Sequence, residues 1–132
     1  MEKDISNQII SHINNLPGGF AHKRLSNGST STNGWPDITG SIKLLLNGQE
    51  MAVRLEIESK IPGKFPDPLQ YAMLRKFRRL GMIAFWTNSL IDCQFSLDYW
   101  TCVTAGTLNH PGYKDITGSA AVLLEDLGLD AA

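Results

Sequence analysis

Residues 34–60 read GWPDITGSIKLLLNGQEMAVRLEIESK, and this stretch decides the fold of the chain. Asn47-Gly48 stands between two runs that are rich in apolar and β-branched residues. Asn-Gly is the strongest short-range hairpin signal, because both central residues of a tight hairpin turn need a positive φ. We therefore predict a β-hairpin whose strands span residues 37–46 and 49–60.

The register of this hairpin places two acids opposite each other. With a two-residue turn, Leu46 faces Gln49, and the same ladder brings Asp37 opposite Glu58. Opposed residues point to one face, with Cβ atoms about 4.5–5.5 Å apart. A slip of one residue would pair apolar with polar side chains, so the alternation supports the register. A β-bulge near the far end is the alternative that would shift the pairing there. The apolar face of the hairpin contains Ile38, Ile42, Leu44, Val53, Leu55 and Ile57.

The polar face carries a chemistry of its own. Two opposed carboxylates repel unless a positive charge neutralises them, and Mg²⁺ prefers one or two carboxylates together with water and phosphate oxygens. Lys60 lies two residues beyond Glu58 on the same face, where an ammonium can orient water and offset transition-state charge. Asp37, Glu58 and Lys60 therefore predict metal-assisted phosphodiester hydrolysis. The alternative is a solvated face with ordinary charges, which opposed acids disfavour.

The sequence on either side of the hairpin predicts helices and a further strand, hence a mixed α/β domain. Isoleucines at helical spacing predict a first helix over residues 2–16, and residues 23–34 are interpreted as a loop. Asp67 is a good N-cap and Pro68 a good first residue for a second helix that stops at Gly81. A strand at 82–86, a helix capped by Ser89 and a last helix at 120–127 complete the prediction.

Composition limits the classes of function. The 132 residues suggest one domain, and the formal net charge of −1 means that any nucleic-acid contact comes from a local basic patch. Two cysteines are too few for a disulfide framework or a zinc cage. We find no apolar run of about 18 residues and no apolar signal core, so we expect a cytoplasmic protein without a membrane span.

The residues of the hairpin resemble a known nuclease pattern. Pro36-Asp37 followed by Glu58-Ser59-Lys60 is similar to the motif of the PD-(D/E)xK nuclease superfamily. Residues 34–40 resemble the GxPDxxG element of its VRR-NUC (virus-type replication-repair nuclease) family, as do the Pro62-Gly63 loop and Gln70 after it. The resemblance covers about residues 2–100. We therefore divide the chain into a VRR-NUC-like nuclease domain, 1–104, and a C-terminal extension, 105–132, packed on the same domain.

The resemblance implies a restriction-endonuclease-like α/β core, Mg²⁺ or Mn²⁺ as cofactor, and cleavage of DNA. It implies that Asp37 and Glu58 bind the metal with the backbone carbonyl of Ser59, and that Lys60 is the catalytic lysine. It also implies branched DNA as a candidate substrate in recombination, repair or phage genome processing, and a homodimer as a candidate assembly. Ser59 departs from the family, where this residue is usually apolar. The alternative motif Glu56-Ile57-Glu58 would lack the lysine.

Other polar residues extend the predicted site. Glu2 borders the apolar stripe of the first helix and is a candidate outer metal ligand; a helix N-terminal acid is the alternative. Gln70 is predicted to be a catalytic residue that contacts phosphate or orients a metal-bound water; a surface helix residue is the alternative. Six basic residues are predicted to contact DNA phosphates, the alternative being a solvated surface: Lys23, Arg24, Lys64, Arg75, Lys76 and Arg79.

Three functions follow from these observations. A metal-dependent DNA endonuclease is the leading hypothesis. A catalytically inactive DNA-binding or scaffolding module of the same fold is the second, although such a module gains little from opposed acids. A hydrolase that uses the same metal face on RNA is the third.

Overall fold

The structure, a computed structural model, describes residues 2–25 and 34–104 and has a mixed α/β fold. The predicted fold class, a mixed sheet with a central hairpin flanked by helices, is confirmed. The predicted helix at 120–127 and the extension 105–132 lie outside the described residues. In chain order the elements are α1 (Glu2–Asn14), β1 (Phe20–Lys23), β2 (Ile38–Leu46), β3 (Gln49–Ser59), α2 (Pro68–Arg79), β4 (Ile83–Thr87) and α3 (Leu90–Thr104).

The predicted hairpin forms β2 and β3. Asn47 has a φ of 52° and Gly48 a φ of 77°, as the primed two-residue turn requires. The antiparallel pairing runs without interruption from Leu46 opposite Gln49 to Ile38 opposite Ile57. The register is therefore the predicted one, and the next pair along the ladder is Asp37 and Glu58.

The four strands form one sheet in the order β1-β2-β3-β4. β1 pairs antiparallel with β2, and β4 pairs parallel with β3. The interpretation of residues 23–34 as a loop was wrong for Lys23, which ends β1. The edge strand escaped prediction because it has only four residues, of which Ala21 alone is buried. Asn14 fixes it to α1, since its side-chain amide bonds both the N–H and the carbonyl of Ala21, at 2.9 and 3.2 Å.

Helices cover both faces of the sheet. α1 and α3 contact each other and lie on the apolar face, where their residues line a cavity together with Ile42 and Leu44. α2 lies on the opposite face, because Gln70 contacts Glu58 there. β3 is an inner strand, and its residues from Leu55 to Ser59 are all buried. The polar face is therefore enclosed at the end that carries the predicted site, rather than solvated along its whole length.

The helix ends follow the local sequence. Asp67 and Gln70 form a capping box, in which each side chain accepts the backbone N–H of the other at 2.9 Å. Gly81, with a φ of 92°, follows the end of α2 as predicted. Ser89 caps α3 by accepting the N–H of Asp92 at 3.1 Å. Within residues 2–25 and 34–104, no helix combines the length and the apolar character that a membrane crossing needs.

Candidate active site

Asp37 lies directly before β2 and is held against the end of β3. Its backbone N–H donates to Glu58 Oε2 at 3.2 Å. Its carboxylate accepts two hydrogen bonds from Ser59, one from the backbone N–H to Oδ1 at 2.8 Å and one from Oγ to Oδ2 at 2.5 Å. The structure thus brings the two predicted acids together and fixes the orientation of Asp37 through Ser59.

Glu58 is a buried acid with a strongly perturbed pKa. Only 4% of the residue is exposed, although Lys60 Nζ lies 3.8 Å from its Oε1. Burial raises the pKa of Glu58 to about 8, with the Asp37 charge as the second cause; the Lys60 ammonium lowers the pKa, but by less. Glu58 therefore binds a proton at neutral pH when no cation is present.

Gln70 connects α2 to this pair of acids. Its Nε2 donates to Glu58 Oε1 at 3.0 Å, while its Oε1 accepts the N–H of Asp67 in the capping box at 2.9 Å. One amide thus orients the Glu58 carboxyl and satisfies the helix N-terminus. The predicted contact of Gln70 with phosphate or a metal-bound water stays a prediction, and the contacts shown are those of a positioning residue.

The backbone fixes Lys60 beside Glu58. The N–H of Lys60 donates to the carbonyl of Thr87 at 2.9 Å, so that β4 holds the lysine at the end of β3. The Lys60 side chain is 17% exposed. A mostly enclosed ammonium acts through a lower effective dielectric than one in bulk water, and its charge is felt more strongly by a bound anion.

Asp37 and Glu58 fit a hard divalent cation. A buried carboxyl that must take a proton beside a second carboxylate is a place where a cation can replace that proton. Among the described residues no group of three or more His, Cys, Asp or Glu side chains is placed to hold a metal. Two carboxylates with water and phosphate oxygens match the preference of Mg²⁺. The Ser59 carbonyl stays a predicted ligand, and the side chain of Glu2 lies outside the described part of the chain.

Glu56 is the third acid on this face, and it takes no part in the pair. Its side chain is fully buried and accepts hydrogen bonds from Arg24 and Thr39 and, at 3.2 Å, from Arg54 Nε. Two guanidinium groups therefore balance its charge. This arrangement disfavours the alternative Glu56-Ile57-Glu58 motif and leaves Glu58-Ser59-Lys60 beside Asp37.

Arg24 braces the segment that carries Asp37. Its Nε donates to the Pro36 carbonyl at 2.9 Å, and its guanidinium lies 4.7 Å from the centre of the Trp35 ring. With the bond to Glu56, these contacts leave its side chain 16% exposed. Sequence reasoning missed this structural function, because residues 11, 12 and 32 positions away along the chain supply the contacts. The predicted contact of Arg24 with DNA stays a prediction.

The other predicted DNA-binding residues lie on more open surface. Lys23, Lys64, Lys76 and Arg79 are exposed, and Arg75 is half-buried with its guanidinium 5.9 Å from the Tyr71 ring. Arg78 on the same helix instead lies over the Trp100 ring, with its guanidinium 3.9 Å from the ring centre. The contact of the five predicted DNA-binding residues on this surface with phosphate stays a prediction.

The raised pKa of Glu58 predicts how stability depends on pH without metal. The pKa of Glu58 in the folded protein, about 8, exceeds the ordinary value of 4.5. The proton on Glu58 therefore contributes fully to the stability of the fold below pH 4.5, and this contribution is lost as the pH rises to about 8. Urea unfolding in EDTA between pH 5.5 and 8.5 should show the free energy of unfolding fall by up to about 1.4 kcal/mol per pH unit. Glu58→Gln should flatten this slope. A wild-type stability that rises over this range would contradict the assignment.

Ser59→Ala tests the hydrogen bond that the serine hydroxyl gives to Asp37. The alanine variant keeps the backbone bond to Oδ1 and loses the bond to Oδ2. Groups that orient a metal ligand typically change metal affinity by about 10–100-fold when removed. We expect Mn²⁺ affinity, measured by calorimetry, to fall about tenfold, while Ser41→Ala on β2 leaves it unchanged. Equal affinities for wild type and Ser59→Ala would show that the backbone bond alone orients Asp37.

Comparisons with protein-family models, with curated proteins and with solved structures return no match. The likeness to the VRR-NUC family therefore rests on the motifs quoted above.

Proposed function

We propose that this chain is a metal-dependent nuclease that hydrolyses DNA phosphodiester bonds. One observation carries the proposal: Asp37 and Glu58 are held side by side at the end of the hairpin, with Lys60 Nζ 3.8 Å from Glu58 Oε1. A structural protein gains nothing from enclosing two adjacent acids, which cost free energy unless a cation or a proton neutralises them. A buried acid with a raised pKa beside a cation, as Glu58 is beside Lys60, is typical of functional sites.

Asp37 and Glu58 would hold Mg²⁺ or Mn²⁺. The cation would supply Lewis-acid chemistry to a phosphodiester and a water bound at the site. Asp37 arrives pre-oriented by Ser59, and Glu58 by Gln70, so that little reorganisation is needed when the ligands assemble.

Lys60 places a positive charge next to the reacting phosphate. Hydrolysis forms a bond between a water oxygen and phosphorus and breaks one phosphorus–oxygen ester bond; the water loses a proton and the leaving alkoxide gains one. Negative charge builds up on the phosphate oxygens during this exchange, and a fixed ammonium stabilises that charge most in the transition state. Lys60 also holds its position through the Thr87 carbonyl, so its charge stays beside the carboxylates. The residue is therefore proposed as catalytic, with Ser59 and Gln70 as positioning residues.

Cleavage of labelled DNA tests the proposal. Linear duplex, single-stranded and four-way-junction DNA would each be incubated with Mg²⁺ or Mn²⁺ and, separately, with EDTA. We expect cutting that needs the cation, and the three rates rank the substrates. Tight binding without cutting of any substrate would overturn the nuclease proposal in favour of an inactive DNA-binding module. RNA of the same sequence separates a DNA nuclease from an RNA hydrolase.

Three further predictions concern the location, the source and the assembly of the protein. A cytoplasmic location, a source in a phage and a homodimer all follow from the sequence interpretation. Sedimentation of the purified chain tests the homodimer, with twice the chain mass expected and the single-chain mass as the contradicting result.

A further inference from the structure

Phe65 is exposed although the backbone on both sides of it is fixed. The Lys64 N–H donates to the Ile61 carbonyl at 3.0 Å, and Gly63 has a φ of 88°, so Ile61–Lys64 form a turn with Pro62 and Gly63 in its centre. Pro66 follows and keeps Phe65 in an extended conformation, and Asp67 then caps α2. Phe65 remains 65% exposed. The chain thus presents an aromatic ring to solvent from a rigid segment.

The ring of Phe65 lies next to Trp86, the neighbour of Glu58 in the sheet. It packs against Trp86 with ring centroids 5.5 Å apart. Trp86 is the parallel register partner of Glu58, so the two side chains point to the same face from adjacent strands, and adjacent strands are spaced about 4.8 Å apart. The exposed side of Phe65 therefore borders the surface above Glu58, on the β4 side of the site.

Leu69 is a second exposed apolar residue of the same segment. It is 51% exposed, precedes Gln70 in the chain and lies against Gly34, where an added Cβ would come within 2.5 Å of Leu69 Cγ. We call Phe65 and Leu69 the apolar rim. The two residues of the rim lie between Lys60 and Gln70 in the sequence.

The charge around the apolar rim favours an anionic ligand. Residues 60–80 contain six basic residues and one acidic residue, Asp67, whereas the whole chain has a formal net charge of −1. Lys64 is exposed and immediately precedes Phe65. A cation beside an exposed aromatic ring is the combination that single-stranded nucleic acid binds, through phosphate contact and base stacking.

We propose that Phe65 stacks on an unpaired base next to the scissile phosphate, with Lys64 contacting the backbone. The substrate class is then DNA with unpaired nucleotides, and continuous duplex is a poorer ligand. Bases inside a duplex have both faces covered by their neighbours, so an enzyme side chain stacks on a base only when that base is unpaired or flipped out. This inference rests on the proposed nuclease function and names its substrate.

A second copy of the chain is a poorer occupant of the apolar rim. Two side chains supply far less than the roughly 800 Å² that each partner buries in a stable interface. The basic residues of 60–80 would also repel the same segment of another copy.

Binding of fluorescent oligonucleotides tests the stacking. Anisotropy would be measured with Mg²⁺ in a Lys60→Ala background, so that binding is followed apart from cleavage. Phe65→Ala should lower the affinity for single-stranded DNA about tenfold and the affinity for the matched duplex less than about twofold. Phe95→Ala on α3, where Phe95 is 49% exposed, is the matched control and should change neither affinity. Circular dichroism checks that both variants fold.

An abasic nucleotide, moved along the oligonucleotide, sharpens the test. When the abasic nucleotide stands where Phe65 stacks, wild type and Phe65→Ala should bind the oligonucleotide with equal affinity, because the base that gave wild type its roughly tenfold advantage is missing. That position identifies the stacked base. Equal weakening of single-stranded and duplex DNA by Phe65→Ala, or none, would overturn the inference. A loss of dimer in Phe65→Ala would overturn it in favour of self-association. Metal-dependent cutting by wild type alongside either result would leave the nuclease proposal standing, so the two failures are distinguishable.

Discussion

Lys60→Ala should reduce the rate of DNA cleavage by about a hundred- to a thousandfold, the usual loss when a donor to transition-state charge is removed. The Lys60 ammonium lies 3.8 Å from Glu58 Oε1, and the bond from the Lys60 N–H to the Thr87 carbonyl fixes the backbone that carries it. DNA affinity and folding should change little, because the charge acts mainly in the transition state. Initial rates measured under single-turnover conditions report the chemical step.

A matched lysine separates catalysis from general charge. Lys43 on β2 is 57% exposed and pairs with Glu50 at 3.0 Å, so Lys43→Ala removes the same charge far from the acids. It should cut DNA at the wild-type rate. Lys60→Ala should also move the rising limb of the cleavage rate against pH to higher pH, because the lost ammonium no longer lowers the pKa of Glu58. Unchanged turnover in Lys60→Ala would remove the lysine from the mechanism.

Asp37→Asn should abolish cleavage and weaken Mn²⁺ binding by about a hundredfold or more, since a direct ligand matters more than the outer partners whose loss costs about 10–100-fold. Asparagine can still accept the Ser59 N–H, so the local backbone is expected to persist. The variant should also have a lower pKa at Glu58, because the Asp37 charge is the second cause that raises it. Stability without metal at pH 8 should therefore increase while function is lost.

Glu50→Gln is the matched control for that experiment. Glu50 is 63% exposed at the far end of the hairpin, and its loss should leave both metal affinity and cleavage at wild-type values. Calorimetry that gives the same Mn²⁺ affinity for Asp37→Asn and wild type would exclude Asp37 as a ligand.

The hairpin and the pairing of its acids could be predicted because local rules decide them. Asn47-Gly48 selects the turn, and the apolar alternation of β2 and β3 permits one register. Once the register is known, Asp37 and Glu58 must share a face. The cap of α2 at Asp67 was predictable for the same reason, since Asp67 and Gln70 are three residues apart.

Other features depend on contacts between distant segments. β1 forms because it pairs with β2 and because the Asn14 side chain hydrogen-bonds its backbone. Its four residues have no alternating pattern that would predict a strand. Alternation places Glu56 on the same face as Glu58, but the guanidinium of Arg24, 32 positions away, donates a hydrogen bond to the Glu56 carboxylate. The burial that raises the pKa of Glu58 likewise requires α2 to cover the polar face, which no periodicity in β3 reveals.

Titration of the wild-type protein with Mn²⁺ at pH 7, in two buffers of different ionisation enthalpy, is the most direct test of the claim that Asp37 and Glu58 form a metal centre. Glu58, with a pKa of about 8, is mostly protonated at pH 7, and a metal ligand must give up its proton. The account predicts one Mn²⁺ per chain and the release of nearly one proton, both lost in Asp37→Asn. Absence of binding, or binding that Asp37→Asn retains, would contradict it.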